Sequence, residues 1–112
     1  MVVVSQVQVT DIERELVNAL KTGEVVLGSK RTIKLVKLGK AKAVVIASNT
    51  PPKIVSEIMY YAQISKIPVY VYPGTSVELG ALCGKPFTVA SLAIIDPGSS
   101  RIIDLIEAWR QQ

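Results

Sequence analysis

The sequence has no histidine, a single cysteine and no apolar run approaching the roughly 20 residues needed to span a bilayer. Without histidine, and with only Cys83, the usual metal-ligand sets are missing, and an internal disulfide is impossible. General acid or base chemistry would have to rest on a carboxylate or lysine with a displaced pKa, and the carboxylates are scattered along the chain. We therefore expect no enzyme activity, no metal and no cofactor. The absence of a cation-led apolar leader and of a disulfide framework predicts a cytosolic protein with no membrane partner. Aromatic residues are also scarce, at 5%, so aliphatic side chains must build the core.

What is present is a chain of 112 residues, 49% hydrophobic, with a mean hydropathy of +0.37. That length supports one domain with one core, burying about two-thirds of the surface exposed when unfolded. The net charge of +4 is unevenly placed. Val25 to Ser56 holds Lys30, Arg31, Lys34, Lys37, Lys40, Lys42 and Lys53 with no acidic residue, so the remainder of the chain is net negative. A positive field concentrated on one part of a folded surface suits a phosphate backbone, which makes nucleic acid the leading partner.

The pattern alternates helix and strand. Thr10-Asp11-Ile12-Glu13 matches a capping box, followed by Leu16, Ala19 and Leu20 at helical spacing, and Gly23 ends this first helix after about Thr22. Val25-Val26-Leu27 reads as a strand buried on both faces. After Gly28, Ser29 is the expected N-cap of a helix running to about Leu38, with Lys30, Lys34 and Lys37 along one side. Ala43 to Ala47 forms a second buried strand, Pro52 to Ser65 a third helix, and Pro68 to Tyr72 a third strand. Thr75-Ser76-Val77-Glu78 is a second capping box, opening a short helix that ends at Gly84. Val89 to Ile95 is the fourth strand, and Ile102, Leu105, Ile106 and Trp109 mark a last helix. These elements predict a single α/β domain over residues 1–112, a three-layer α/β/α sandwich around a small, mostly parallel or mixed four-stranded sheet. Ligands of such sheets gather beyond strand ends, where Gly28 to Thr32, Ser48 to Thr50 and Gly84 to Val89 lie.

Leu27-Gly28-Ser29-Lys30-Arg31-Thr32, Ala47-Ser48-Asn49-Thr50-Pro51, Tyr60-Tyr61-Ala62 with Ser65-Lys66, and Glu78-Leu79-Gly80 through Gly84-Lys85-Pro86-Phe87-Thr88-Val89, in this order, resemble the archaeal and eukaryotic large-subunit ribosomal L-thirty-e family of the kink-turn-binding superfamily. The resemblance covers nearly the whole chain. It implies a scaffold protein of the large ribosomal subunit, a monomer when isolated, that binds a kink-turn in ribosomal RNA containing sheared G·A pairs, with neighbouring large-subunit proteins as possible further partners. By position it implies RNA contacts at Gly28, Lys30 and Asn49, with Ser29, Arg31 and Thr32 nearby. It also implies a loop of Lys85, Pro86, Phe87, Thr88 and Val89 that receives an extruded base. Where many members carry Arg and Gly this chain has Thr88 and Ala90, which bears on a loop-borne phosphate contact and on backbone closeness.

Physical chemistry points to the same residues. A helix N-terminus offers free amides and partial positive charge, Gly28 permits close approach, Asn49 carries a donor and an acceptor on a short arm, and Lys34 and Lys37 add phosphate attraction. Each residue alone also has a plainer use: Gly28 and Asn49 as turn residues, the lysines as a solvated face, Phe87 and Val89 as core, Cys83 as a small buried apolar group. A nucleotide site at Gly28 lacks both the G-x-G-x-x-G and P-loop spacings. A kink-turn binder of a guide-RNA or selenocysteine type shares the same fold and motif, and a protein-interaction module leaves the localised charge unused.

Overall fold

Nine elements follow one another along the computed structural model, which describes residues 9–110 and the side chains of Asp11 to Trp109: α1 (Val9–Thr22), β1 (Glu24–Leu27), α2 (Ser29–Lys37), β2 (Ala43–Ala47), α3 (Pro52–Ser65), β3 (Val69–Tyr72), α4 (Ser76–Leu82), β4 (Ser91–Asp96) and α5 (Ile102–Arg110). The sheet order is β1-β4-β2-β3. β2 and β3 pair in parallel, whereas β4 runs antiparallel to both of its neighbours, β1 and β2, so the sheet is mixed. The ends of β1, β2 and β3 and the beginning of β4 consequently lie on one edge, and α2, α3 and α4 start there.

Alternation along the strands explains the three layers. In β2, Ala43, Val45 and Ala47 join Tyr70, Leu92 and Ile94 against α1, α4 and α5 through Ile12, Leu16, Leu79, Ile102 and Ile106. Val44 and Ile46 join Ala93 on the other face, against Val36 of α2 and Ile58 and Ala62 of α3. Every residue of β2 is buried, as a run of five apolar side chains between two helical layers requires.

Several boundaries depart from the sequence expectation. β1 is an edge strand, half-exposed and paired with β4 alone, because three apolar residues fit an edge over a helix as readily as a sheet centre. β4 begins at Ser91, and Val89, although only 1% exposed, belongs to the preceding loop. The N-cap of α2 is Gly28, not Ser29: with φ of 110° the glycine turns the chain in one residue, and Ser29 is already helical. The Ser29 hydroxyl instead meets that of Ser91, 2.8 Å away. α1 already includes Thr10, whose side chain lies outside the described residues, as does the expected box it would form with Glu13; the Glu13 carboxylate accepts a hydrogen bond from the Tyr72 hydroxyl at 3.0 Å. The capping box at Thr75 and Glu78 is present with both its bonds, 3.2 and 2.8 Å long.

α1 and α5 are tied by Glu15, whose carboxylate accepts from the Arg101 amide at 2.9 Å and the Ser100 hydroxyl at 3.1 Å. The Arg101 amide, opposed by partial burial, holds this carboxyl below its ordinary value of 4.5. A group with a lowered folded pKa stabilises the fold above its unfolded pKa and loses that contribution as pH falls through the folded value. Glu15→Gln should therefore melt below the wild type at pH 7, and the gap should close at strongly acidic pH; thermal melts across pH 7 to 3 measure it, and a gap that persists unchanged at low pH would contradict this role.

Candidate nucleic-acid interface

The sheet edge just described is held by a continuous chain of hydrogen bonds. The Gly28 amide donates to the Ser91 carbonyl at 2.9 Å. Beside it the Ala90 carbonyl accepts from the Ala47 amide and from the Thr50 hydroxyl, both at 2.8 Å. The Gly74 carbonyl accepts from the Ser48 amide at 3.0 Å and the Ser48 hydroxyl at 2.8 Å. Asn49 bridges to α4, its side-chain oxygen accepting from the Ser76 amide at 2.8 Å, and the Ser76 carbonyl in turn accepts from the Val89 amide at 3.0 Å. Segments far apart in sequence are thus stapled into one surface.

Gly28 stands at the front of that surface. Its φ of +110° is one that side chains rarely adopt, and a Cβ placed on it would meet no protein atom within 4 Å. Behind it α2 presents a first turn whose amides have no carbonyl four residues earlier to bond, so they add partial positive charge. Lys30, Arg31 and Lys34 are exposed and form no ion pair with a described residue. Lys37, two turns along, lies over the Tyr61 ring at 5.0 Å from its centroid, so part of its charge is engaged within the protein.

The loop between α4 and β4 closes the other side. Its course depends on Gly80: a Cβ there would lie 2.1 Å from the Phe87 carbonyl oxygen, so the loop rests directly on the helix backbone. The Lys85 amide donates to the Gly80 carbonyl at 2.9 Å, and Gly84, with φ of +74°, turns the chain out of the helix. Lys85, Pro86, Phe87 and Thr88 are exposed, Phe87 by 56%, so this ring is not core.

Two residues among the sequence candidates do not reach this surface with their side chains. Thr32 is fully buried beneath α2, its hydroxyl without a hydrogen-bond partner among the described residues. Val89 is buried in the cluster with Leu79 and Leu92. Thr32 shares the inward face of α2 with Val36 one turn on, and Val89 is drawn inward where its amide bonds the Ser76 carbonyl. Conversely, Thr50, Ser76, Gly80 and Ser91 shape the site without having been singled out as contacts. Gly80 and Ser76 stood inside recognisable motifs, but the pairing of Asn49 with Ser76, 27 residues apart, leaves no local signal.

The surface is an open edge. A hollow of about 620 Å³ lies elsewhere, lined by Met59, Gln63, Lys66, Val69 and Glu107 at the far end of α3. Among the described residues no three metal-ligating side chains converge, and no helix is long and apolar enough to cross a membrane. Cys83 is held as a neutral thiol, burial pushing it up to about 11 despite the nearby Lys85 charge.

Two outcomes follow from this geometry. Gly80→Ala should destabilise the domain by about 1–3 kcal/mol, since rigid backbone must move to admit the methyl group; an unchanged melting temperature would show that the loop does not rest on the helix. Iodoacetamide at pH 8 should alkylate Cys83 on the order of 10- to 100-fold more slowly in the folded than in the denatured protein, because a raised pKa leaves less thiolate; equal rates would rule out the burial described.

Comparison with known proteins places the chain in a family. Residues 10–104 match the model of the Ribosomal protein L7Ae/L30e/S12e/Gadd45 family. The chain is 57% identical over 96 residues to the large ribosomal subunit protein eL30 of Methanothermobacter thermautotrophicus, covering 86% of this chain and 98% of that one. It is 51% identical over 104 residues to the eL30 of Sulfurisphaera tokodaii, covering 93% and 98% of the two chains. With the eL30 of Saccharolobus solfataricus it shares 49% identity over 107 residues, 96% and 98% of the two. The chain belongs to the Ribosomal protein L7Ae/L30e/S12e/Gadd45 family.

Proposed function

We propose, on the premise of that membership, that the chain is a structural protein of the large ribosomal subunit which holds a kink-turn of ribosomal RNA with sheared G·A pairs. It would do so in the cytoplasm, as a monomer when isolated and without a cofactor. The observation that carries this reading is the stapling of Gly28, Asn49 and the loop 85–88 onto one edge whose exposed side chains are basic, polar and aromatic.

Each part has a distinct task. Gly28 leaves room for the RNA backbone to come against the start of α2, where free amides and the helix dipole meet phosphate or an electron-rich base edge. Lys30, Arg31 and Lys34 supply charge that attracts any RNA and positions it without reading sequence. Asn49 reads base edges at the distorted pairs, since a short planar amide fixes direction where a lysine would not. Phe87 offers an exposed ring, stiffened in place by Pro86, on which an unstacked base can lie. A kinked RNA presents splayed bases and a sharply turned backbone together, which a straight duplex does not.

Binding titrations at several salt concentrations, with the kink-turn RNA and with a control whose G·A pairs are replaced by Watson–Crick pairs, separate these tasks. Lys30→Ala should weaken both RNAs and reduce the salt slope by about one phosphate contact. Asn49→Ala should cost roughly 1–3 kcal/mol with the kink-turn RNA alone. Equal binding of the two RNAs by the wild type would end the kink-turn reading, and an unchanged salt slope for Lys30→Ala would remove Lys30 from the phosphate contacts.

A further inference from the structure

Asn49 is exposed, and an exposed asparagine ordinarily samples rotamers and both orientations of its amide. Here it does not. The Ser76 N–H can only meet an acceptor, so the bond at 2.8 Å fixes the oxygen towards α4 and turns the NH2 group away from it. The Ser76 amide is itself held. It is the first residue of α4, locked by the reciprocal bonds of Thr75 and Glu78, while the Ser76 carbonyl is engaged by the Val89 amide at 3.0 Å. On the other side of Asn49, Ser48 is clamped twice to the Gly74 carbonyl and the Thr50 hydroxyl is bonded to Ala90. The first amide of α4 is therefore not open to a ligand; its role is taken by Asn49.

We infer that the Ser76 backbone amide is a positioning group for RNA recognition: it presents Asn49 to the RNA as a donor only, so the site selects acceptor atoms such as guanine N7 and O6 or a phosphate oxygen. This rests on the kink-turn reading above and adds to it the orientation and polarity of the base-reading contact. An asparagine free to flip would accept from a base amino group as readily as it donates to a carbonyl, and would discriminate poorly between paired and sheared edges. Pre-orientation also spares the rotamer freedom otherwise lost on binding.

Ser76→Pro tests this without touching the RNA. Proline is well tolerated at the first position of a helix, and Thr75, at φ −81° and ψ 172°, already has the extended backbone that must precede it. The substitution removes the N–H that orients Asn49 and puts the proline Cδ in its place, so the Asn49 oxygen must leave that position. The variant should melt like the wild type, bind the kink-turn RNA roughly 3- to 10-fold more weakly, and keep both its affinity for the Watson–Crick control and its salt slope. Adding Asn49→Ala to Ser76→Pro should then weaken binding by less than Asn49→Ala does alone. Wild-type affinity for the kink-turn RNA, or an equal loss on both RNAs, overturns the inference. A wild type that binds the two RNAs alike overturns the kink-turn reading and this inference with it, so the two failures are told apart by the wild-type control. Should Ser76→Pro fail to fold, hydrogen exchange of the Ser76 amide in the free protein decides. It should be protected in the wild type and in Asn49→Asp, which retains the acceptor, and unprotected in Asn49→Ala; exchange at the solvent rate in the wild type overturns the proposal.

Discussion

Two adjacent carbonyls, those of Ala90 and Ser91, hold the binding edge together. The first accepts from Ala47 and Thr50 and the second from Gly28, while the Ser91 hydroxyl meets that of Ser29. These bonds are possible because β4 is inserted antiparallel between β1 and β2, so that its first residues stand between the last residues of both neighbours. Were β4 at the sheet margin, β1 and β2 would be neighbours and the turns at Gly28 and Asn49 would lie one strand spacing apart instead of two, about 5 Å closer. The distance between these two turns is therefore set by ladder spacing and not by side chains, which makes it difficult to deform.

Charge and geometry divide the work at this edge. In the proposed role, the exposed cations of α2 act over a Debye length and give attraction without choice. Selectivity has to come from groups whose direction is fixed, and the hydrogen-bond chain supplies that direction by using backbone donors that cannot rotate away. The dependence on Gly80 fits the same scheme, since the loop bearing Phe87 is placed by contact between two backbones and leaves no side chain between them to yield.

Much of this was legible in the sequence where the signal is local. The box of Thr75 and Glu78, the proline start of α3, the turn at Gly84 and the fully buried β2 each rest on a few neighbouring residues. Local patterns were misleading where tertiary partners decide. Val25-Val26-Leu27 has the composition of a central strand and is an edge, because strand order is not written in a single strand. Ser29 resembles a cap but is displaced by a glycine that makes the turn alone, and its hydroxyl is used across the sheet. Of the site, the family motifs located the basic helix start, Asn49 and the loop, whereas the inward turn of Thr32 and Val89 and the partner of Asn49 depend on register and on contacts between distant segments.

The position of β4 also bears on how the chain comes into being. The strand that joins β1 to the rest of the sheet is the last of the four to be synthesised, so a growing chain holds β1 and α2 without the ladder that locates them until residues 91–96 have left the ribosome. Closing contacts across some 65 residues is slow relative to local helix formation. A nascent fragment can therefore carry the whole basic stretch before the ladder that places it beside Asn49 exists.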